Sequence, residues 1–223
     1  SGMSHFLEHM LFKGTHRRPR SIDVSRELDE LGASYNAFTS REHTAFHIKA
    51  ATVHFEKITD VLADLVQSPR LDESDINRER GVIIEEINMY NDHPRAQASE
   101  MFSSLFYGDQ PAGRSILGTK ETVRSFGSKD FHSFRKRHYT KDKTVVVVAG
   151  GIERERAKKE VKKHFVTHAH FSGAVGKQKV RVKKYANKKR VALLNKKTDQ
   201  THFVLGGHAP ERYHADIWSF SVL

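Results

Sequence analysis

The 223-residue chain contains no cysteine. Disulfides and thiolate ligands are excluded, so any metal would be held by nitrogen and oxygen donors, although the absence does not fix a compartment. No apolar run reaches the roughly eighteen residues that a membrane-spanning helix needs, so no such span can be read from the sequence. Acid is missing from one stretch, Lys177 to Lys197, which holds ten Lys or Arg and accounts for much of the net charge of +11. Aromatics are missing there too: only Tyr185 could stack on a base, and no nucleic-acid-binding signature accompanies it. The stretch therefore reads as a solvated connector with flanking strands rather than a polyanion site, and a basic surface could also attract acidic peptides. Nucleic acid is not expected as a partner. No internal repeat appears within these residues.

What remains is a polar globular chain, 37% hydrophobic with a mean hydropathy of −0.62, long enough for one large domain or two small ones. It begins at what reads as a helix start and stops inside an apolar periodic run, which suggests a piece of a longer protein.

His5-Phe6-Leu7-Glu8-His9 is the stretch with the clearest chemistry. In a helix these three polar positions fall at i, i+3 and i+4 and share one face. Two imidazoles one turn apart can grip a divalent ion, and the carboxylate beside them can take a proton from a water on that ion. The order His-x-x-Glu-His is the inverted zincin motif. A catalytic zinc site needs a third protein ligand and leaves its fourth position to water.

Helical periodicity predicts helices at His5 to Phe12 (capped by Ser4, stopped by Gly14), at Ser21 to Leu31 with Ile22, Leu28 and Leu31 inward, and at Val53 to Val66. The longest runs from Asp72 to about Tyr90 with Ile76, Ile83, Ile87 and Tyr90 as its stripe, and further helices are expected at Ala96 to Phe106, Lys129 to Arg137 and Ile152 to Phe165. Tyr35 to Ala50 suggests two strands joined by a turn near Ser40. Lys143 to Gly151 (KTVVVVAGG) has the continuous β-branched run of a central strand buried on both faces. Two more strands are expected at Val191 to Asn195 and Thr201 to Gly207, and a last helix after Pro210. The class is α+β, a mixed or antiparallel sheet flanked by helices. One domain is expected at 1–170, a basic connector at 171–190, and the start of a second domain at 191–223.

The long helix offers Glu79, Glu85 and Glu86 as the third ligand. Glu79 and Glu86 lie two turns apart on one face, about 10 Å along the axis, so only one of them reaches the ion. Glu85 is turned about 100° from Glu86, and periodicity does not choose between them. Three blocks then carry a resemblance: SGMSHFLEHMLFKGT, NAFTSREHT and RERGVIIEEINMYND. They resemble the pitrilysin and insulinase family of zinc peptidases (family M16), most of all the branch of mitochondrial processing peptidase and its bacterial homologues. The Leu117-Gly118-Thr119 loop and the apolar run before Gly150 follow in the same order.

The resemblance implies one zinc per chain, held by His5, His9 and Glu86, with Glu8 as general base. Glu79 would support a ligand histidine as part of the catalytic set. Asn36 and Ala37 match the family's edge strand, where an extended peptide substrate adds to the sheet by backbone hydrogen bonds. It also implies the LuxS/M16-like metalloenzyme fold, duplicated in a second half or second subunit, as a homodimer or heterodimer closing around short or unfolded polypeptides. The second half would supply an Arg and a Tyr that bind substrate and stabilise the oxyanion. Bacterial cytoplasm, periplasm and organelle matrix are all compartments such proteins occupy, the first being favoured. The rival expectation is a non-catalytic scaffold relative, which would usually have lost some of these His and Glu residues. Other histidines read as bland: His43 and His47, about 13 Å apart along a strand, are too distant for one ion. His164, His168 and His170 read as surface groups, and Glu42 as a rim or structural residue.

Overall fold

A computed structural model describes residues 1–166, 182, 189–197, 199–211 and 213–222. Helix α1 spans Met3–Leu11 and lies at the centre: Phe6, Leu7, Met10 and Leu11 are all buried. It touches α4 (Glu73–Asp92), α7 (Ser128–His138) and both strands of the hairpin formed by β1 (Ser34–Thr39) and β2 (Thr44–Lys49). With His5 and His9 on a helix whose other faces are apolar, the motif is carried on a rigid element. Each fully buried Leu or Phe there contributes roughly 1.5–3 kcal/mol.

One apolar cluster joins α1 to Ile76, Ile83 and Ile87 of α4, to Val123 of α6 (Lys120–Ser125) and to Phe131 of α7. Phe6 and Phe131 meet edge to face with centroids 4.9 Å apart. A second cluster packs Val24 and Leu28 of α2 (Ser21–Asp29) on Val61 and Leu65 of α3 (Phe55–Gln67), beneath Tyr35 and Ile48 of the hairpin. The hairpin is antiparallel, registering Ala37 with Phe46 and Thr39 with Thr44, and Ser40 closes its turn by donating its N–H to the His43 carbonyl (2.8 Å). Helix α5 (Pro94–Tyr107) follows α4, with Pro94 at its first turn, where a missing N–H costs nothing. Later come α8 (Arg154–Val161), continued by a π-turn over Lys162–Val166, and the short α9 (Ile217–Phe220).

Sequence expectation and structure part in several places. The cap of α1 is Gly2, not Ser4, and Gly2 adopts φ +91°. A Cβ there would lie 2.8 Å from the Leu117 carbonyl oxygen, and one on Gly118 (φ +78°) would lie 2.9 Å from the Gly2 Cα. Only glycines permit this approach, which locks the start of α1 against the Leu117-Gly118-Thr119 turn. Val24 replaces Ile22 as the inward residue of α2, and Tyr90 is exposed at the end of the α4 stripe. Helix α6 was not anticipated.

The largest difference concerns strands. Lys143 to Gly151 joins no ladder among the described residues; Val145 and Val147 are 85% and 81% exposed, Val146 and Val148 37% and 38%. The chain is a 3-10 turn over Lys141–Lys143 followed by backbone in no sheet, with the alternation of a half-covered surface rather than burial on both faces. Apolar content reports a preference for burial, but a strand also needs a neighbour to take its N–H and C=O groups. Val191 to Asn195 and Thr201 to Gly207 likewise form no strand, with Leu193, Phe203 and Leu205 largely exposed. Most of the basic connector lies outside the described residues.

Candidate metal centre

Because His5 and His9 sit one turn apart on α1, their rings stack edgewise with centroids 4.6 Å apart. Helix α4 crosses α1 and presents Glu86 to both: Glu86 Oε2 lies 3.5 Å from His5 Nε2 and 3.7 Å from His9 Nε2. Glu85, the neighbour that periodicity left open, is exposed and accepts from Asn88 (3.2 Å). His5, His9 and Glu86 each offer a ligand atom within 4.8 Å of the others. Three donors about 2.0–2.2 Å from a tetrahedral zinc would stand about 3.3–3.5 Å from one another, so this set is close to the required spacing. One of its polar atoms on the metal side, Glu86 Oε2, is buried without a hydrogen-bond partner. Such orphaned atoms are costly unless something absent from the protein satisfies them. A nitrogen and oxygen donor set of this kind fits zinc.

Seven residues before Glu86 on the same helix face, Glu79 is buried and reaches the other side of His9. His9 Nδ1 donates to Glu79 Oε1 at 2.8 Å, and Lys13 Nζ meets Glu79 Oε2 at 2.6 Å. A carboxylate only accepts, so Nδ1 carries a proton and Nε2 is the nitrogen turned toward Glu86. Burial pushes the Glu79 carboxyl upward, but the hydrogen bonds from His9 and Lys13 outweigh it and hold the group below its ordinary range. Burial lowers His5 most, the neighbouring His9 lowers it further, and Glu8 only partly offsets them, leaving His5 at about 4. At neutral pH it is an uncharged imidazole with a lone pair to give. His9 moves up instead: burial is outweighed by the Glu79 hydrogen bond and by the charges of Glu79, Glu86 and Glu8.

Glu8 is oriented from β1. Thr39 Oγ1 donates to Glu8 Oε2 at 2.5 Å and lies 3.1 Å from Thr44 Oγ1 across the hairpin. Glu8, His5, His9, Glu86, Ala37 and Thr39 line one cleft of about 1180 Å³. Asn36 lies on β1 opposite His47, its side chain turned away and accepting from the Ala37 N–H (2.8 Å). β1 has a partner on one edge only among the described residues.

Sequence reasoning overlooked Thr39 and Lys13. The hydroxyl-rich NAFTSREHT block could have flagged the first, and the i+4 spacing from His9 the second. The remaining histidines fall apart as sites. His43 belongs to the hairpin turn, with Nδ1 3.1 Å from Ser40 Oγ, and Glu42 is exposed beside it. His164 corrects the surface reading: it is largely buried, 3.4 Å from Asp60 and 3.6 Å from Glu160, the latter one turn back on its own helix. His168 and His170 lie outside the described residues.

Two family models match the chain: Insulinase (Peptidase family M16) over residues 1–120, and Peptidase M16 inactive domain over residues 125–223. The first covers more than half of the residues, and the chain belongs to the insulinase family, peptidase family M16. The uncharacterised zinc protease YmxG of Bacillus subtilis is 35% identical across 100% of this chain and 53% of its own length. The beta subunit of mitochondrial-processing peptidase from Bos taurus is 35% identical over 74% of this chain and 34% of that subunit. A protease from Helicobacter pylori, solved by crystallography, matches with a TM-score of 0.72 and 26% identity over 75% of this chain and 40% of its own. The chain thus spans about half the length of the curated relatives it matches across its whole length. The boundary between the two family models falls inside one packed body, since Phe131, within the second, sits in the core on Phe6.

Proposed function

We propose that this chain is the metal-bearing part of a zinc endopeptidase that hydrolyses extended or unfolded polypeptides, with His5, His9 and Glu86 as ligands. The observation carrying this reading is the buried, unpartnered Glu86 Oε2 set 3.5 and 3.7 Å from two imidazole nitrogens. Zinc relatives and the insulinase family membership support it. When bound, zinc polarises a carbonyl and brings the pKa of a water in its open position to about 7.

The protein's own groups do the rest. Glu8, steadied by Thr39, takes the proton of the attacking water and returns it to the leaving amine. Glu79 fixes the His9 ring. An extended substrate would add at the free edge of β1 at Asn36 and Ala37, taking the Ala37 N–H in place of the Asn36 side chain, so its side chains would be read only through shallow pockets. Oxyanion donors would come from a second half or a second, homologous subunit.

The test is zinc content after dialysis against a weak chelator. About one zinc per chain is expected; a well-folded chain without zinc overturns the ligand assignment. If the complete protein holds zinc but cleaves no unfolded polypeptide, it is a scaffold relative instead.

A further inference from the structure

From the geometry around Glu79 we infer that Lys13 is a positioning residue for the metal centre: it pins one oxygen of Glu79 so that the other holds His9 with Nε2 toward the metal. The inference rests on the zinc reading above. It concerns a residue just beyond α1, one turn past His9, whose backbone is fixed at both ends. The Lys13 N–H donates to the Met10 carbonyl (3.1 Å), closing the helix. Gly14 follows at φ +136°, where a Cβ would come within 2.5 Å of the Pro19 carbonyl oxygen. Only glycine tolerates that approach, so the turn that aims Lys13 is built into the backbone.

From this position Lys13 Nζ reaches Glu79 Oε2 at 2.6 Å while Glu79 Oε1 accepts from His9 Nδ1 at 2.8 Å. The two contacts use different oxygens of one carboxylate, and together they fix its plane. A buried Glu side chain with one anchor can rotate about its last bond; with two it cannot. His9 and Lys13, four residues apart, therefore clasp Glu79 from the same side of α4, and the imidazole is oriented by a carboxylate that is itself oriented. Groups that support a metal-binding histidine typically matter 10–100-fold in metal affinity. Lys13 stands one contact further out, yet shares the carboxylate that makes the contact.

The experiment measures zinc affinity of the full chain by competition with a chromophoric chelator. Lys13→Met is expected to weaken zinc about 10-fold or more. Lys13→Arg, which keeps a cation able to reach Oε2, should stay within about threefold of the parent. In a Glu79→Ala background, Lys13→Met should cause no further loss, because its effect passes through that carboxylate. Lys13→Ala gives the same reading should the Met variant fail to fold. Wild-type affinity in folded Lys13→Met or Lys13→Ala overturns the inference, as does full additivity with Glu79→Ala or failure of Lys13→Arg to rescue. A parent chain that binds no zinc fails the ligand assignment instead, which separates the two.

Discussion

Two polar clusters are built around residues that flank Gly14, His5 and His9 before it and Thr15 and Arg18 after it, and they are finished differently. Beyond the glycine, Arg18 is buried with Nε on Glu27 (2.5 Å), Nη1 on Asp64 (2.6 Å) and Nη2 on Asp60 (2.9 Å). Thr15 donates to Asp64 (2.6 Å) and accepts from the Arg18 N–H (2.8 Å). Arg17 also pairs with Asp60, and Lys57 with Glu27. Every buried polar atom of Thr15, Arg18 and Asp64 has a partner among the described residues. In the cluster built on His5 and His9, the two imidazole nitrogens stand 3.5 and 3.7 Å from Glu86 Oε2 and leave that oxygen without a partner. Charge and burial do not separate the clusters; satisfaction does. A closed network stabilises a fold, and an open one carries a desolvation cost that a ligand at the site would relieve.

The sharpest break of this comparison is in turnover. In the complete protein, Glu8→Gln should lower hydrolysis by about 10²–10⁴-fold, the usual contribution of a general base, while zinc content stays near that of the parent. Loss of zinc along with activity would show that Glu8 belongs to the donor set. On the closed side, Arg18→Met should destabilise the chain by about 3–5 kcal/mol in denaturant unfolding, because it leaves carboxylates uncompensated in the interior. Glu86→Gln should do the opposite of Arg18→Met: hardly alter metal-free stability, but weaken zinc by more than the roughly 100-fold ceiling of outer contacts. Glu85→Gln should leave zinc binding alone. Reversal of the Glu pair would move the ligand by one residue.

Acid distinguishes the clusters again. The Arg18 hydrogen bond leads the causes that hold Glu27 at about 2, against an ordinary 4.5, with Lys57 adding to it despite burial. Asp60 is also lowered, since Arg17 and Arg18 outweigh its burial. Both carboxylates bind protons less readily folded than unfolded. Their contribution is therefore complete above the unfolded value of about 4.5 and drains away as pH falls toward 2. Stability of the parent should drop over that window, and Arg18→Met should flatten the drop. An unchanged slope in the variant would mean that other groups carry it.

How much of this was legible beforehand depends on the element. Helices α1, α3, α4 and α7 were read to within a few residues, because each buries one stripe and a stripe is a local pattern. The candidate site was legible in part: His5, Glu8 and His9 are one local motif, but the choice between Glu85 and Glu86 as the third ligand needed family resemblance, and the structure places Glu86, not Glu85, beside the histidines. Val145 to Val148 misled, since an apolar β-branched run says nothing about which strand will pair with it. His164 misled in the other direction. Its partner Asp60 is on α3, far off in the sequence, and only packing brings them together. Lys13 and Thr39 were missed for the same reason, being defined by what they touch across the fold.

Thr39 supplies the smallest expected effect and the finest test of what the open cluster is for. Its hydroxyl donates to Glu8 from the strand whose free edge is proposed to take the substrate, so β1 would place both the peptide and the base that works on it. A hydrogen bond to a charged group contributes about 1.5–3 kcal/mol, and Glu8 keeps water as a substitute donor, so Thr39→Val should lower kcat by about tenfold. KM and zinc affinity should hardly move, and Thr39→Ser should recover most of the loss. Were Thr39→Val to raise KM and spare kcat, the strand would be serving the substrate alone, and Glu8 would owe its orientation to α1.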